Sequence, residues 1–347
     1  MLNLGGPDRA ESVRPFLRNM FSDPAILGVA TPVRWLLARL IPRLRAPAAR
    51  RMYAHIGGGS PLLANTLRQA EALGAALGDP AETRMFVAMR YWRPRSDEVA
   101  RAIRAFSADR VHLVPLYPQY SGTTTGSSIA DWARAARAAG LTTPTRVLCC
   151  YPVAEGWIAA LAELARGGYG AAAQHGRPRI LFSAHGLPKR VVAAGDPYQW
   201  QVEQTVAGVV AALSIGDLDW RLCYQSRIGP LEWIGPSIDE ELQHAGRDRV
   251  PVVVVPVAFV SEHVETLVEL DIVYRERART LGVPLYVRVP AVGSHPSFIG
   301  ALAGLARDGG EAPVHSADGR RLCPLTVSGC PLGGANNRVG YAPCPVG

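Results

Sequence analysis

Short runs of apolar, β-branched residues alternate along the chain with stretches whose apolar positions recur at helical spacing. Residues 110–118 (RVHLVPLYP), 177–186 (RPRILFSAHG) and 249–260 (RVPVVVVPVAFV) are such runs, and each follows a helix-like stretch. Continuous apolar strands between helices are typical of a parallel sheet that is covered on both faces. The pattern predicts an α/β fold in which ligands bind beyond the carboxyl ends of the strands.

Two of these strand segments resemble each other. Residues 109–125 and 248–266 both begin with Asp-Arg-Val, continue as a strand containing Val-Pro, and end in a polar turn that leads into a helix. The similarity predicts two similar α/β halves, although any two βα units share part of this pattern. We place the N-terminal half at 1–150, the C-terminal half at 151–308, and a tail rich in Gly, Pro and Cys at 309–347.

The amino-acid composition excludes few classes of function. The net charge of +8 comes almost entirely from arginine, with Lys189 as the single lysine. A biased, high-GC genome explains this charge, and so does attraction to an acidic ligand, a membrane or nucleic acid. Because no tract of five or more basic residues occurs, we expect no nucleic-acid partner.

Targeting signals are missing from the sequence. No apolar run reaches the roughly 18–20 residues that a membrane span needs. The first residues, MLNLGGPDRAE, lack the basic region and apolar stretch of a signal peptide. We therefore expect a cytoplasmic protein.

The segment 259–271 (FVSEHVETLVELD) places four carboxylates and a histidine directly after a strand. On a helix, Glu262, Glu265 and Glu269 would share one face because they are three and four residues apart. A capped helix with a solvated acidic face explains this pattern. However, like charges at this spacing cost about 0.2–0.5 kcal/mol per pair unless a cation binds. The position after a strand favours a bound divalent cation, or protons leaving a substrate.

A histidine occupies the end of another strand. The run RILFSA brings His185 onto a Gly-Leu-Pro turn, and only His263 has a comparable position among the eight histidines. Such a histidine often just bonds a loop carbonyl. Together with the acidic segment after a neighbouring strand, it predicts a His/Glu pair that accepts protons near neutral pH and holds a borderline metal.

Between residues 16 and 52, apolar residues such as Trp35 and Leu40 recur at helical spacing among arginines, and we expect Pro42 to break the helix. A core-packing helix explains this pattern. So does a lip that lies on a membrane surface or meets an apolar, carboxylated ligand.

Six blocks occur in order: LNLGGP, GGGSPL, LYPQYSGTTTGSS, FSAHGLP followed by GDPY, CYQSRIGP and FVSEHVETLVELD. They resemble the signature blocks of the ferrochelatase family, which inserts Fe²⁺ into a porphyrin, and the resemblance covers about residues 1–305. It implies a chelatase-like α/β fold of two Rossmann-like halves, each with a parallel sheet flanked by helices. It also implies porphyrin and ferrous iron as substrates, and a pocket lip at 16–52 that contacts the inner membrane surface.

The resemblance assigns roles to individual residues. It implies that His185 and Glu265 are catalytic and meet the iron. We expect these two residues to come from opposite halves of the molecule and to face each other across the ring centre. Glu262 and Glu269 would then carry protons or iron towards solvent. The residues expected to contact the substrate are Leu4, Arg90, Tyr91, Tyr117, Ser121, His263 and Glu269.

The chain departs from the family pattern at two positions. Leu4 stands in place of a methionine in the first glycine turn, which changes the packing above the macrocycle. Val273 stands where many relatives have an acidic residue, so a proton or metal path along that helix would end earlier.

The cysteines suggest a second metal. Three of them crowd the tail, namely Cys323, Cys330 and Cys344. With Cys149 or Cys150 as fourth ligand they would complete a [2Fe–2S] cluster, as some ferrochelatases carry. The familiar version takes its fourth ligand at the position of Gly122, so that version cannot form. Free, inert thiols are the alternative.

Two other functions fit the same residues. One is a chelatase for another tetrapyrrole, including coproporphyrin, and the other is a non-catalytic haem or porphyrin carrier. The hydrophobic lip and the CYQSRIGP block favour iron and a less carboxylated porphyrin, and the His185/Glu265 pair argues against a carrier. The sequence leaves open whether the protein is a monomer or a dimer.

Overall fold

The structure is a computed structural model that describes residues 1–79, 82–227, 229, 231–308 and 312–333. Within it the chain divides into two compact units. Unit 1 contains Met1–Cys150, Leu302–Arg321 and the described part of Pro331–Gly347, and unit 2 contains Tyr151–Ala301 and Leu322–Cys330. The domain boundaries predicted at residues 150 and 308 stay predictions.

The strands of both units pair in parallel, which confirms the predicted α/β fold with parallel sheets. In unit 1, β1 pairs with β2, and a second sheet has the order β3-β4-β9; the sheet of unit 2 has the order β6-β5-β7-β8. The described strands are β1 (Leu2–Asn3), β2 (Ala88–Met89), β3 (Val111–Leu113), β4 (Thr145–Leu148), β5 (Arg179–His185), β6 (Asp219–Gln225), β7 (Val252–Pro256), β8 (Tyr286–Arg288) and β9 (Val314–His315).

Helices connect the strands, as the parallel pairing requires. In unit 2, all five residues of β7 and six of the seven residues of β5 are buried, so this sheet is covered on both faces. The described α-helices are α1 (Val13–Phe21), α2 (Thr31–Ala54), α3 (Leu62–Leu77), α4 (Ser96–Phe106), α5 (Ser127–Ala138), α6 (Glu155–Ala173), α7 (Lys189–Ala193), α8 (Tyr198–Leu213), α9 (Ile238–Asp248), α10 (Arg275–Thr280) and α11 (Pro296–Asp308).

Each unit has an apolar core of its own. In unit 1, Leu113 from β3 packs in one cluster with Trp132 from α5 and Ile103 from α4. In unit 2, Val254 from β7 packs with Leu270 and with Cys223 from β6. Burial raises the pKa of the Cys223 thiol, which makes this cysteine an unreactive core residue.

Helix α2 differs from its prediction. We expected Pro42 to break it, but the helix runs through both Pro42 and Pro47 as one element. A proline inside a helix removes one backbone hydrogen bond and crowds the preceding turn, so it is tolerated only where packing compensates. Here Pro42 is buried, and α2 packs along α1.

The acidic segment is also not an ordinary α-helix. Residues Glu265–Tyr274 form a π-helix, in which backbone bonds join residues five apart, and Glu262 lies before it begins. A shorter π-helical turn, Gly122–Gly126, leads into α5 in unit 1. The predicted single face of Glu262, Glu265 and Glu269 is therefore wrong, because α-helical spacing does not apply here.

Candidate functional site

The end of β5 and the π-helix after β7 bring a histidine and a glutamate into contact. His185 is the last residue of β5 and pairs in register with Gln225, the last residue of β6. Glu265 opens the π-helix that follows β7, the other neighbour of β5. Because parallel strands end at one edge of the sheet, the two side chains meet there, with His185 Nδ1 2.8 Å from Glu265 Oε2.

This contact corrects the predicted arrangement of the two residues. We expected His185 and Glu265 to come from opposite halves and to face each other across a ring. Both belong to unit 2, and no macrocycle can lie between two atoms 2.8 Å apart. The two side chains therefore act as one hydrogen-bonded pair on one side of any ligand.

His185 and Glu265 carry opposite charges. Burial lowers the pKa of His185, but the charge of Glu265, its hydrogen bond and the charge of Glu269 outweigh burial and raise that pKa above its ordinary value. Burial would raise the pKa of Glu265, but the imidazolium of His185 overrides it and lowers that pKa. Because the two groups titrate together, the resting state is an imidazolium–carboxylate ion pair.

A second carboxyl group lies beside the pair. The Ser226 backbone N–H donates to Glu269 Oε1 at 2.9 Å, and the Ser226 hydroxyl donates to Oε2 at 2.6 Å. Gln225 Nε2 lies 3.3 Å from the same Oε2. Burial and then the charge of Glu265 raise the pKa of Glu269 despite these donors. Glu269 is therefore better suited than Glu265 to hold a proton.

Ser226 and Gln225 are functional-site residues that the sequence reasoning missed. The signal that could have found them is the one that found His185, because they end or follow a strand of the same sheet. Ser226 has a φ of 63°, in the left-handed region that favours glycine. This conformation lets its N–H and hydroxyl reach the same carboxylate.

His263 lies on the other side of Glu265. Its Nε2 is 3.9 Å from Glu265 Oε2, and its ring lies 4.7 Å from that of Phe259. Burial lowers the pKa of His263, and the charges of Glu265 and Glu262 only partly offset this. A backbone hydrogen bond at Ser261 acts in the same direction as these charges. His263 is therefore a neutral imidazole next to the ion pair.

Two of the four carboxylates in the acidic segment are structural. The side chain of Arg288 in β8 is buried. Its NH1 donates to Glu262 Oε1 at 2.5 Å, and its Nε donates to Asp271 Oδ1 at 3.0 Å. Although burial lowers the pKa of Arg288, the hydrogen bonds that it donates to both carboxylates, together with their charges, raise that pKa above its ordinary value. The Ala291 N–H also donates to Glu262 Oε1 at 2.9 Å. The ion pair with Arg288 gives Glu262 a structural role, and its predicted relay role stays a prediction.

Unit 1 carries the other predicted substrate contacts. Leu4 and Tyr117 are half-buried, and the Tyr117 hydroxyl lies 3.4 Å from that of Ser128. Ser121 is buried at the start of the π-helical turn, where its side chain accepts the Thr123 N–H at 3.1 Å. Ser121 therefore acts as a helix cap, and the prediction that it contacts a ligand is not supported by this burial.

Arg90 and Tyr91 belong to a buried polar cluster of unit 1. Arg90 donates to Asp23 at 2.8 Å and to Ser127 at 2.7 Å, and it lies 3.7 Å from Asp131. The Tyr91 hydroxyl donates to Asp23 at 2.6 Å, and no part of Tyr91 is exposed. This burial does not support the predicted substrate contact of Tyr91, which stays a prediction.

The described cysteines do not form a four-thiolate site. In unit 1, the Cys149 and Cys150 sulfurs lie 3.5 Å apart, and in unit 2 Gln201 Nε2 donates to Cys323 at 3.2 Å. Among the described residues no three His, Cys, Asp or Glu side chains are grouped to hold a metal ion. Cys330 is buried in unit 2, and Cys344 lies outside the described residues. The described residues therefore show no [2Fe–2S] site, and the predicted cluster, which needs Cys344, stays a prediction.

Within the described ranges, no helix is both long and apolar enough to cross a membrane. Parallel sheets flanked by helices, with a His/Glu pair at the strand ends of the unit 2 sheet, define a chelatase-type α/β protein. The fold is similar to that of SirB from Bacillus subtilis solved with Fe³⁺, at a TM-score of 0.50 and 14% identity over 70% of this chain and 91% of that chain. At this identity, the similarity shows the fold alone.

Sequence comparison identifies the family. The ferrochelatase family model matches residues 1–309. The chain is 50% identical over 337 residues to a ferrochelatase of Caulobacter vibrioides, covering 95% of this chain and 96% of the relative. It is 46% identical over 349 residues to one of Hyphomonas neptunium, covering 98% and 96%. The chain belongs to the ferrochelatase family, as the sequence blocks predicted, and is a metal-insertion enzyme.

Proposed function

We propose that the enzyme inserts Fe²⁺ into protoporphyrin IX to give protohaem, the last step of haem biosynthesis. The reaction breaks two pyrrole N–H bonds, forms the iron–nitrogen bonds and releases two protons, and iron keeps its oxidation state. The family match supports this activity. The observation that carries the mechanism is the 2.8 Å contact between His185 and Glu265.

The contact orients the imidazole for proton transfer. Because Nδ1 of His185 faces Glu265, Nε2 on the far side of the ring points away from the carboxylate, and the side chain is 38% exposed. The resting imidazolium first loses its Nε2 proton to solvent, and we assign Nε2 of the resulting neutral imidazole as the atom that accepts pyrrole protons, one after the other. Each transfer produces an imidazolium that Glu265 stabilises.

The accepted proton needs a way out before the second transfer. Glu269 has a raised pKa, and its charge contributes to raising the pKa of His185, so it lies within electrostatic reach of the ion pair. We propose that the Nδ1 proton of the imidazolium passes to Glu265, then to Glu269 and to solvent. The proton left on Nε2 then exchanges to Nδ1 through solvent, so that Nε2 is free for the second transfer. Ser226 is the positioning residue that holds Glu269.

The same pair is the proposed contact for the iron substrate. Imidazole and carboxylate ligands bind Fe²⁺ adequately without the tight grip of a closed site. With one imidazole and one carboxylate as its protein ligands, the ion would be handed on readily. Insertion needs such release, because the metal must leave the protein for the ring.

The test is anaerobic metal insertion with Fe²⁺ and two porphyrins side by side, followed by the absorbance of the product. We expect turnover with protoporphyrin IX. Faster turnover with coproporphyrin would transfer the assignment to that substrate. Porphyrin binding without any turnover would identify a carrier and overturn the proposal.

Two further proposals concern cofactor and location. The predicted [2Fe–2S] cluster stays a prediction, and a colourless purified protein without iron or sulfide would reject it. We also propose that the enzyme is cytoplasmic and contacts the membrane surface through α2. That helix exposes several large apolar side chains, including Trp35 at 59% and Leu44 at 80%.

A further inference from the structure

The groups that contact the Glu269 carboxyl differ in what they can do with a proton. Within the described part of the chain, the Ser226 N–H and the Gln225 Nε2 amide only donate to this carboxyl. The hydroxyls of Ser226 and Tyr274, at 2.6 Å and 3.4 Å, can donate and accept at the same time. Only a hydroxyl can therefore take the proton that Glu269 holds and release another on its far side.

The two hydroxyl-bearing side chains differ in exposure. Ser226 is buried at 9% exposure, whereas Tyr274 is half-buried. Tyr274 follows Glu269 by five residues in the π-helix, whose wider turn brings such residues onto one face. The residue before it, Val273, is 51% exposed but apolar, so it carries no proton. Tyr274 is therefore the hydroxyl that connects Glu269 with the surface of unit 2.

The surroundings of Tyr274 keep its hydroxyl neutral and fixed. Burial, and then the charges of Glu269 and Asp239, raise the pKa of Tyr274, so the side chain does not ionise. Its ring packs against the apolar cluster of unit 2 that contains Leu270. Asp239 lies on α9, where it is half-exposed and pairs with Arg277 at 3.2 Å. The hydroxyl thus lies within electrostatic reach of an inner and an outer carboxylate.

We propose that the Tyr274 hydroxyl relays protons from Glu269 to solvent on the side of Asp239, and so forms the outlet of the proton path. The inference rests on the proposed function, which places the porphyrin at His185 and so requires an exit away from the substrate. The 3.4 Å contact is long for a hydroxyl hydrogen bond, as is common for relay contacts in sites without substrate, and it tightens when substrate binds.

The relay step conserves atoms and charge. The O–H bond of the protonated Glu269 breaks as the Tyr274 oxygen takes its proton. The original O–H bond of Tyr274 breaks at the same time, as solvent water takes that proton. The tyrosine is neutral before and after the step, and its hydroxyl rotates back to serve the second proton.

The test is the variant Tyr274→Phe, which keeps the ring and removes the hydroxyl. Anaerobic insertion of Fe²⁺ into protoporphyrin is measured in dilute buffer and in a concentrated, sterically hindered lutidine buffer, which carries protons but does not bind iron. In dilute buffer we expect kcat to fall about tenfold, less than the usual loss of a positioned acid or base because water partly replaces the hydroxyl. Concentrated lutidine should restore kcat towards the wild-type value, and porphyrin binding by fluorescence quenching should not change.

The matched control is Tyr286→Phe. The Tyr286 hydroxyl is buried and donates to the Leu270 carbonyl of the same π-helix at 2.8 Å, so this variant loses a hydroxyl that is bonded to the backbone. We expect lutidine to restore no activity that this variant loses.

Three outcomes would overturn the relay. They are wild-type kcat of Tyr274→Phe in dilute buffer, a loss that lutidine does not restore, and equal restoration in both variants. A wild-type protein that binds porphyrin and inserts no iron would instead overturn the proposed function, so the two failures are distinguishable.

Discussion

The two π-helical turns occupy corresponding places in the two units but carry different chemistry. Residues 109–125 lead from β3 into Gly122–Gly126, and residues 248–266 lead from β7 into Glu265–Tyr274. The first turn is built of glycine and hydroxyl side chains, with Ser121 as its cap. The second presents Glu265 and Glu269 towards the end of β5. Both turns follow a strand, but the ion pair forms at the turn after β7, because the neighbouring strand β5 ends in His185.

The wider π-helical turn also shapes the second site. Residues five apart approach each other in a π-helix, and the Tyr274 hydroxyl lies 3.4 Å from Glu269 Oε1. Ser226 approaches the same carboxyl from β6. Glu269 is thus held from two elements, whereas in unit 1 the Ser121 side chain caps its own turn by accepting the Thr123 N–H.

The largest expected effect comes from breaking the ion pair. His185→Ala or Glu265→Gln should lower kcat by about 10²- to 10⁴-fold, the usual contribution of a positioned acid or base. Porphyrin should still bind, as fluorescence quenching would show. His244→Ala is the matched control, because this histidine is exposed on α9. Near-wild-type turnover in either pair variant would remove that residue from the mechanism.

The next effect concerns stability. Arg288→Met leaves the partly buried carboxylates of Glu262 and Asp271 without their cation. We expect a loss of about 3 kcal/mol in the free energy of unfolding, measured in urea. Arg279→Met is the control: Arg279 also pairs with a carboxylate, Glu276, but at the surface. We expect no measurable change there. Equal losses in both variants would contradict a buried role for Arg288.

A smaller effect is expected at Ser226. The variant Ser226→Gly keeps the left-handed backbone and the N–H but loses the 2.6 Å hydroxyl bond to Glu269. That hydroxyl lowers the pKa of Glu269, so its removal should raise the pKa further and slow proton release. We expect kcat to fall about threefold to tenfold, which corresponds to the loss of roughly one hydrogen bond to a charged group. The pH profile of kcat should shift as well.

Thr123→Ala provides the comparison for Ser226→Gly. It removes a hydroxyl 2.8 Å from that of Ser121 in the first π-helical turn. We expect no shift in the pH profile of turnover, because that turn carries no titratable pair. A matching shift in both variants would contradict the assignment of the proton path to unit 2.

The smallest effect is a pH dependence of stability. The pKa of Glu265 is lowered, so its contribution is complete above the ordinary value of 4.5 and is lost as pH falls through the lowered pKa. The pKa of His185 is raised, so its contribution is complete below 6.5 and is lost as pH rises through the raised pKa. The destabilisation by Glu265→Gln should therefore be greatest between these values. Urea unfolding across the pH range measures it, and a pH-independent loss would contradict the ion pair.

Sequence patterns were sufficient to predict the parallel sheet, because buried strands are recognisable as runs of apolar, β-branched residues. The run VVVV of β7 and the run RILFSA of β5 could be recognised as buried parallel strands, and their ends located His185 and Glu265. The family blocks added the reaction. The π-helix could not be predicted, because apolar periodicity does not distinguish it from an α-helix.

Contacts between residues that are far apart in the sequence could not be predicted either. Arg288 follows Glu262 by 26 positions on a separate strand, so its ion pairs depend on tertiary packing. The hydrogen bond of the buried Tyr91 hydroxyl joins it to Asp23, which is 68 positions away in the sequence. The same limit explains why we expected His185 and Glu265 on opposite sides of a ring: strand order decides which strand ends are neighbours.

The central claim is that Glu265 holds His185 in its charged form through direct contact. The most direct test is a nuclear magnetic resonance titration of the His185 ring nitrogens in the wild type and in Glu265→Gln. We predict a pKa above 6.5 in the wild type and below 6.5 in the variant, because burial, the largest effect, is then opposed only by the weaker charge of Glu269. An unchanged pKa would show that the two side chains are not paired and would contradict the account.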